Sequence, residues 1–211
     1  MSGEEDVAKA GGEGRAPGRS AGRPSATVGM SGEESGSGTA TERSVVVRQA
    51  DGDDLTAVVE VGHRTWPVTY GPIAGDDYVA MGLAKWWTQE ATIPAIRAGR
   101  VLVAEVDGEI VGMASVGPSE GHLILWKLYV LPSHQRDGLG ARLLRAVIDK
   151  AQEDGYDELR LSYLAGNDGA GAFYEHFGFR ETERESGGSG IPDSVWMARP
   201  LRTDEQEERQ S

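Results

Sequence analysis

The sequence predicts one mixed α/β domain. Three observations carry this reading. Short runs rich in β-branched residues alternate with stretches of helical spacing. Asp107-Gly108 sits between two apolar runs, the strongest short-range signal for a hairpin. Leu139, Leu143, Leu144, Val147 and Ile148 recur at the period of an amphipathic helix.

Taken from the start, residues 44–48 are β-branched and predict a strand. Asp53 and Asp54 then offer helix caps ahead of Leu55, Val58, Val59 and Val61. Further helices are predicted over residues 76–87 and 92–98. Residues 100–106 and 109–116 form the two arms of the hairpin. A long strand over 122–131 stops at Pro132, and a helix over 138–153 follows. Residues 158–163 predict a strand with Leu159, Leu161 and Tyr163 on one face. A short helix over 170–177 closes at Gly178, a residue suited to the left-handed stop. Two last strands are predicted over 179–185 and 194–198.

The bulk numbers bound what this domain does. Hydrophobic residues make up 38% of the chain, and the formal net charge is -13. Residues 1–43 are rich in Gly, Ser, Glu, Ala and Arg and too poor in large apolar side chains to offset their ordering entropy. They predict a disordered tail, and 202–211 a charged, frayed one, around a domain at 44–201. Met1 to Glu5 recurs as Met30 to Glu34, either a second start at Met30 or a coincidence in a biased segment. The absence of cysteine excludes disulfides, thiolate zinc sites and a cysteine nucleophile, and no metal is expected. No apolar run reaches 18 residues, and the start lacks a secretory pattern, so a cytoplasmic protein is expected. An acidic surface repels nucleic acid and anionic lipid, so neither is an expected partner. It favours a cationic substrate such as a protonated amine, or serves solubility alone.

The most informative stretch runs from Leu128 to Ala141. An apolar strand enters a polar, glycine-containing turn, and a helix opens immediately after. Such a turn aims free backbone N–H groups outward at the positive end of a helix dipole, where a phosphate can sit. Gly138 and Gly140 remove side chains that would block close approach, and Arg136 adds a cation. An ordinary strand-to-helix turn with two glycines fits the same pattern. The dinucleotide fingerprint fails for want of a third glycine at Leu143, and the P-loop lysine is absent.

Gln135-x-x-Gly138-x-Gly140, with Leu128-Tyr129-Val130 before it, resembles the pyrophosphate loop and central strand of the GNAT N-acetyltransferase family. Asn167-x-x-Ala170-x-x-x-Tyr174-Glu175 followed by Phe177-Gly178-Phe179 resembles that family's second signature. The resemblance covers about residues 44 to 201 and is nearest to the branch acting on polyamines and other small amines. It implies the GNAT fold, a mixed sheet of six to seven strands flanked by about four helices, with the central strands splayed around acetyl-CoA. It also implies transfer of an acetyl group to a primary amine by direct attack in a ternary complex.

By the same resemblance, backbone amides of Gln135, Arg136, Asp137, Gly138, Leu139, Gly140 and Ala141 hold the diphosphate. Leu128, Tyr129 and Val130 bind the pantetheine arm, and an amide near Val130 faces the thioester oxygen. Asn167 and Ala170 meet the cofactor, although Asn167 also suits a simple helix cap. Tyr174 is the candidate acid, since a phenol stays protonated at pH 7 and can donate to a thiolate. Beside Phe173 and Phe177 it equally suits a core position. Many relatives carry a glutamate where this chain has Ile124. By strand parity His122, Ile124, Trp126, Leu128 and Val130 share a face, which makes His122 a candidate base. A surface histidine is the plainer reading, Glu105 and Glu120 are weaker candidates, and relay through solvent needs no base at all. Trp66, Tyr70 and Trp126 are candidate acceptor-binding residues, alongside Trp86 and Trp87, with core packing the alternative. Acetylation of a protein N-terminus or lysine, and an acyl-CoA sensor without turnover, stand as other readings. Family habit also suggests a homodimer.

Overall fold

The computed structural model describes residues 43–119, 121–188 and 190–202. Met30, Glu120 and nearly all of both expected tails lie outside them. Seven strands and four helices follow the expected order. They are β1 (Val45–Gln49), α1 (Leu55–Trp86), α2 (Gln89–Arg97), β2 (Val101–Val106), β3 (Glu109–Ser119), β4 (His122–Val130), α3 (Leu139–Glu153), β5 (Glu158–Leu164), α4 (Asp168–His176), β6 (Arg180–Glu185) and β7 (Ser194–Pro200). The sheet order is β1-β2-β3-β4-β5-β7-β6. Every neighbouring pair is antiparallel except β4 and β5. Among the described residues no helix is long and apolar enough to cross a membrane.

Local chemistry accounts for the joints. Asp107 (φ 52) and Gly108 (φ 89) are both left-handed, as a two-residue hairpin turn with the right twist requires. The helices expected after Leu55 and at 76–87 follow one another directly within α1, parted by a kink at the non-helical Gly75 (φ 82, ψ 169). Pro67 and Pro72 each remove a helical donor just ahead of that break. The expected caps shift upstream. Asp51 accepts from the Asp53 amide at 2.9 Å, and Asp54 answers by accepting from the Asp51 amide at 2.9 Å. Asp54 is buried and also accepts from both Arg48 Nη atoms at 2.6 and 2.9 Å. Arg48 in turn reaches Glu105 at 3.0 Å, which ties β1, β2 and the start of α1 together and gives Glu105 a structural partner.

One sheet face is covered by α3, the other by α1 and α2. The α1 side is unusually aromatic. Trp66 lies stacked on Tyr78 (5.9 Å, 10°) and edge-on to Tyr70 (4.8 Å) and Trp87 (6.5 Å). Two glycines of α1 make room for these rings. A β-carbon on Gly62 would fall 1.9 Å from the Trp87 ring, and one on Gly82 would fall 1.8 Å from Trp66. Both rings are essentially sealed from solvent, so neither can swing aside without opening the core.

The register of β3 and β4 corrects the parity expected for the central strand. Ser115 pairs with Lys127, but Val116 pairs with Leu125, so Trp126 is an extra residue in β4. A bulge of this kind inverts which side chains share a face. His122 and Ile124 lie with Lys127 and Tyr129 on the α1 face, whereas Leu128 and Val130 lie on the α3 face. The bulge also falls where the β4–β5 ladder stops. Leu123, Ile124 and Leu125 pair with Leu159, Arg160 and Leu161, and no rung follows. The two strands then run on to Val130 and Leu164 without pairing to each other, held by β3 and β7 on their outer sides.

At the sheet's far edge, β6 is a run of Arg180, Glu181, Glu183, Arg184 and Glu185 around Thr182, almost wholly exposed.

Gly62→Ala should destabilise the fold by about 1–3 kcal/mol or more through overpacking, read as a fall in the denaturation midpoint at unchanged slope. Asp54→Asn should cost roughly 1 kcal/mol at pH 7, since Arg48 is partly exposed and screening weakens the pair. The Arg48 guanidinium holds the Asp54 carboxyl below the usual carboxylate range. Its stabilisation is therefore full above the unfolded value near 4 and is lost as pH falls through the folded value. The gap between wild type and variant should narrow as pH falls below the unfolded carboxylate value near 4, in denaturation at several pH values.

Candidate active site

The parted ends of β4 and β5 open a cleft, and the loop from β4 into α3 lies at its mouth. Two residues of that loop are left-handed, Arg136 (φ 82) and Gly138 (φ 72). For Gly138 the conformation is free. For Arg136 it carries a local cost, of the sort usually retained where backbone direction matters. Alternation of this kind turns successive amides toward one concavity, a shape suited to anions. Gly138 is the N-cap of α3, and no side chain caps that helix. The first helical bond there is Arg142 N to Gly138 O at 3.1 Å. The amides of Leu139, Gly140 and Ala141 therefore fall in the unpaired first turn, at the positive end of the dipole. A β-carbon on Gly138 would meet nothing within 4 Å. Gln135 braces the loop, with Nε2 donating to the Val130 carbonyl at 3.2 Å. Asp137 is exposed and lies 3.5 Å from Arg43.

Tyr174, on α4, sits against Phe173 (5.4 Å) and Phe179 (5.6 Å) and is fully buried. Among the described residues its hydroxyl has no hydrogen-bond partner. Burying a hydroxyl unpaired costs about 1–3 kcal/mol, so this group is available to a ligand that can accept from it. Burial, reinforced by Tyr129, pushes its pKa well above the ordinary phenol value. It is a donor, not a base, at neutral pH. Both the acid and the core reading of Tyr174 therefore describe one side chain. Tyr129 and Tyr70 share a hydrogen bond at 3.2 Å, and burial raises both phenols likewise. Asn167 is the N-cap of α4, but its side chain makes no capping bond, so a simple cap does not account for it. Ala170 is buried in the same helix.

Other expected residues lie elsewhere. His122 is at the opposite end of β4, roughly 25 Å along the strand from Val130. There Nδ1 lies 3.5 Å from Glu158. The structure does not bring it together with Tyr174. Trp66 is buried within the aromatic core, as are Trp86 and Trp87. Trp126 is half-buried on the α1 face, over Gly117. Sequence reading passed over Lys127, which donates to the Trp86 carbonyl at 2.6 Å and lies 4.0 Å from the centre of the Trp87 ring. An alternation count that skips the bulge gives it the wrong face.

With this geometry in place, comparison with known proteins becomes specific. The sequence model of the Acetyltransferase (GNAT) family matches residues 63–179, which include the loop, the parted strands and Tyr174. The chain belongs to the GNAT acetyltransferase family. The [ribosomal protein bS18]-alanine N-acetyltransferase of Escherichia coli is 36% identical over 81 residues, covering 36% of this chain and 55% of that protein. The spermidine N(1)-acetyltransferase of Thermoplasma acidophilum is 23% identical over 143 residues, 65% of this chain and 89% of that one. Among solved structures, the PaiA N-acetyltransferase of Thermoplasma acidophilum in complex with coenzyme A superposes with a TM-score of 0.68 at 21% identity. That match covers 74% of this chain and 99% of the other. The chain spans between 38% and 62% of the length of several curated relatives that it matches.

The residues fit the CoA thioester that this GNAT fold implies. An uncapped helix start suits the diphosphate, the cleft suits a narrow arm, and an orphan buried hydroxyl suits the sulfur end. Gly138→Ala should strain the loop by about 1 kcal/mol and weaken CoA binding roughly tenfold or more, read by calorimetry against free CoA.

Proposed function

We propose that this protein transfers the acetyl group of acetyl-CoA to the primary amine of a small molecule. What supports the proposal is the uncapped start of α3, whose first-turn amides at Leu139, Gly140 and Ala141 have no helical partner, reached through the left-handed turn at Arg136 and Gly138 directly after the strand that parts from β5. These amides bind the diphosphate through charge-assisted hydrogen bonds, strengthened by the α3 dipole. The unpaired edges of Leu128, Tyr129 and Val130 align the pantetheine arm, and a main-chain amide of that stretch donates to the carbonyl as it gains negative charge. Acetyl-CoA supplies the activated acyl group. Asn167 and Ala170, at the start of α4, line the far wall.

Tyr174 donates its phenolic proton toward the departing thiolate, and the elevated pKa keeps that proton in place until then. The amine must lose a proton to attack. Ile124 stands where a carboxylate would be useful, and His122 is remote, so the proton leaves through solvent. The negative field of the whole chain raises the local concentration of protonated amines. Tyr70 braces Tyr129 through their shared hydrogen bond. The relatives' acceptors include both spermidine and a ribosomal protein alanine, so a peptide panel belongs beside the amine panel.

Release of free CoA thiol, measured over both panels, tests the reading. Thiol release that tracks small amines supports it, whereas release with peptides alone refutes the small-molecule part. Tyr174→Phe should lower kcat by about 100-fold or more with acetyl-CoA affinity nearly unchanged. Because the lost hydroxyl is unpaired, the variant should be no less stable than wild type. Unchanged kcat with chemistry rate-limiting removes Tyr174 from the proton path.

A further inference from the structure

Three phenols from three separate elements come together beside the stretch of β4 that has left β5. Tyr70 of α1 and Tyr129 of β4 are both fully buried and share a hydrogen bond at 3.2 Å. Tyr174 of α4 is buried with them. Burial is the main reason that all three titrate high. After it, Tyr129, Tyr78 and Tyr174 act on Tyr70, and Tyr129 acts on Tyr174, so the phenols feel one another's charge. The bonded pair is firmly backed. Tyr70 stands edge-on to Trp66 at 4.8 Å and to Tyr78 at 6.3 Å. Tyr129 stands edge-on to Trp87 at 5.3 Å, and Lys127 holds that indole with Nζ 4.0 Å from the ring centre. Behind them Trp66 and Trp87 press on Gly82 and Gly62, where even a β-carbon has no room. A core packed in this way has little space into which either phenol can retreat.

The place of this pair decides what it does. On the acetyl-transfer reading above, Tyr129 belongs to the stretch that aligns the pantetheine arm, and Tyr174 meets the sulfur. The acyl carbon is bonded to that sulfur, so any chain it carries starts among the three phenols. Resting on that reading, we infer that Tyr70 and Tyr129 close the acyl end of the slot and restrict the donor to a two-carbon acyl group. The acetyl methyl ends in front of the pair, and a longer chain runs into it.

The hydrogen bond makes the closure firm. To admit more carbons, one ring has to turn aside, and the other phenol is then left unpaired in an apolar core. The displaced ring also overpacks neighbours that already interlock. One methylene too many in a hydrophobic pocket is worth about 10- to 200-fold. Bulk and lock are separable. Tyr70→Phe keeps the ring and removes the lock. Tyr70→Leu removes both and keeps a good helix former at that position.

The test is a calorimetric series on the full chain with free CoA and with acetyl-, propionyl-, butyryl- and hexanoyl-CoA. Butyryl- and hexanoyl-CoA should bind about tenfold or more weakly than acetyl-CoA, with propionyl-CoA between. The affinity for butyryl-CoA relative to acetyl-CoA should rise about threefold in Tyr70→Phe, as loss of one hydrogen bond allows. It should rise about tenfold or more in Tyr70→Leu. A general loss of structure weakens every thioester alike, whereas this ratio moves only if the pair sets chain length. Circular dichroism checks the fold of each variant, and Tyr70→Phe, which lacks a single hydroxyl, carries the test should Tyr70→Leu not fold. If wild type binds butyryl-CoA as tightly as acetyl-CoA, or if the ratio stays at the wild-type value in the folded variants, the inference is overturned while CoA binding stands. If folded wild type binds neither the thioesters nor free CoA, the acetyl-transfer reading falls, and the inference with it.

Discussion

A β-ladder holds two strands together only while their registers agree, and in β4 that agreement ends at Trp126. The extra residue adds local bend and twist. Beyond it β4 keeps its bonds to β3 but no longer follows β5. That divergence supplies the cleft, and it also sets where α3 starts, because the strand must turn back over the α3 face. The loop that makes this turn takes two left-handed residues to do so. The left-handed turn and the parting of β4 from β5 thus both lie directly beyond one inserted residue.

The same bulge distributes the side chains. Tyr129 turns toward α1, where its hydroxyl finds Tyr70, while Leu128 and Val130 turn to the other layer and pack with α3. Had the alternation continued unbroken, Tyr129 would have faced α3, and the phenols of α1 and β4 would not meet. Around them the aromatic core is rigid for a simple reason. Large flat rings interlock with backbone at Gly62 and Gly82, so there is little room for rearrangement. A rigid wall on one side of the cleft favours fixed placement of whatever binds there.

Much of this architecture is legible from residue order. The hairpin at Asp107-Gly108 follows from two residues that tolerate positive φ, and α3 from five apolar side chains at helical spacing. The glycine pattern after β4 marks the left-handed turn into α3, where Gly138 is the N-cap, for reasons of backbone chemistry. Other features are hidden because their signals are not local. Nothing at Trp126 marks a bulge, as neither glycine nor proline is there, so strand parity misplaced His122 and overlooked Lys127. Trp66 and Tyr70 look alike as pocket or core residues until packing is known.

At the outer margin of the sheet, β6 carries a succession of acids and bases and no large apolar side chain. An open margin is an invitation for another chain to add itself as the next strand. Here any newcomer would have to strip water from several ionised groups at once and match their order of signs. The sheet thereby ends where it does on energetic grounds, and a crowded cell has no easy template from which to grow a fibre at that border.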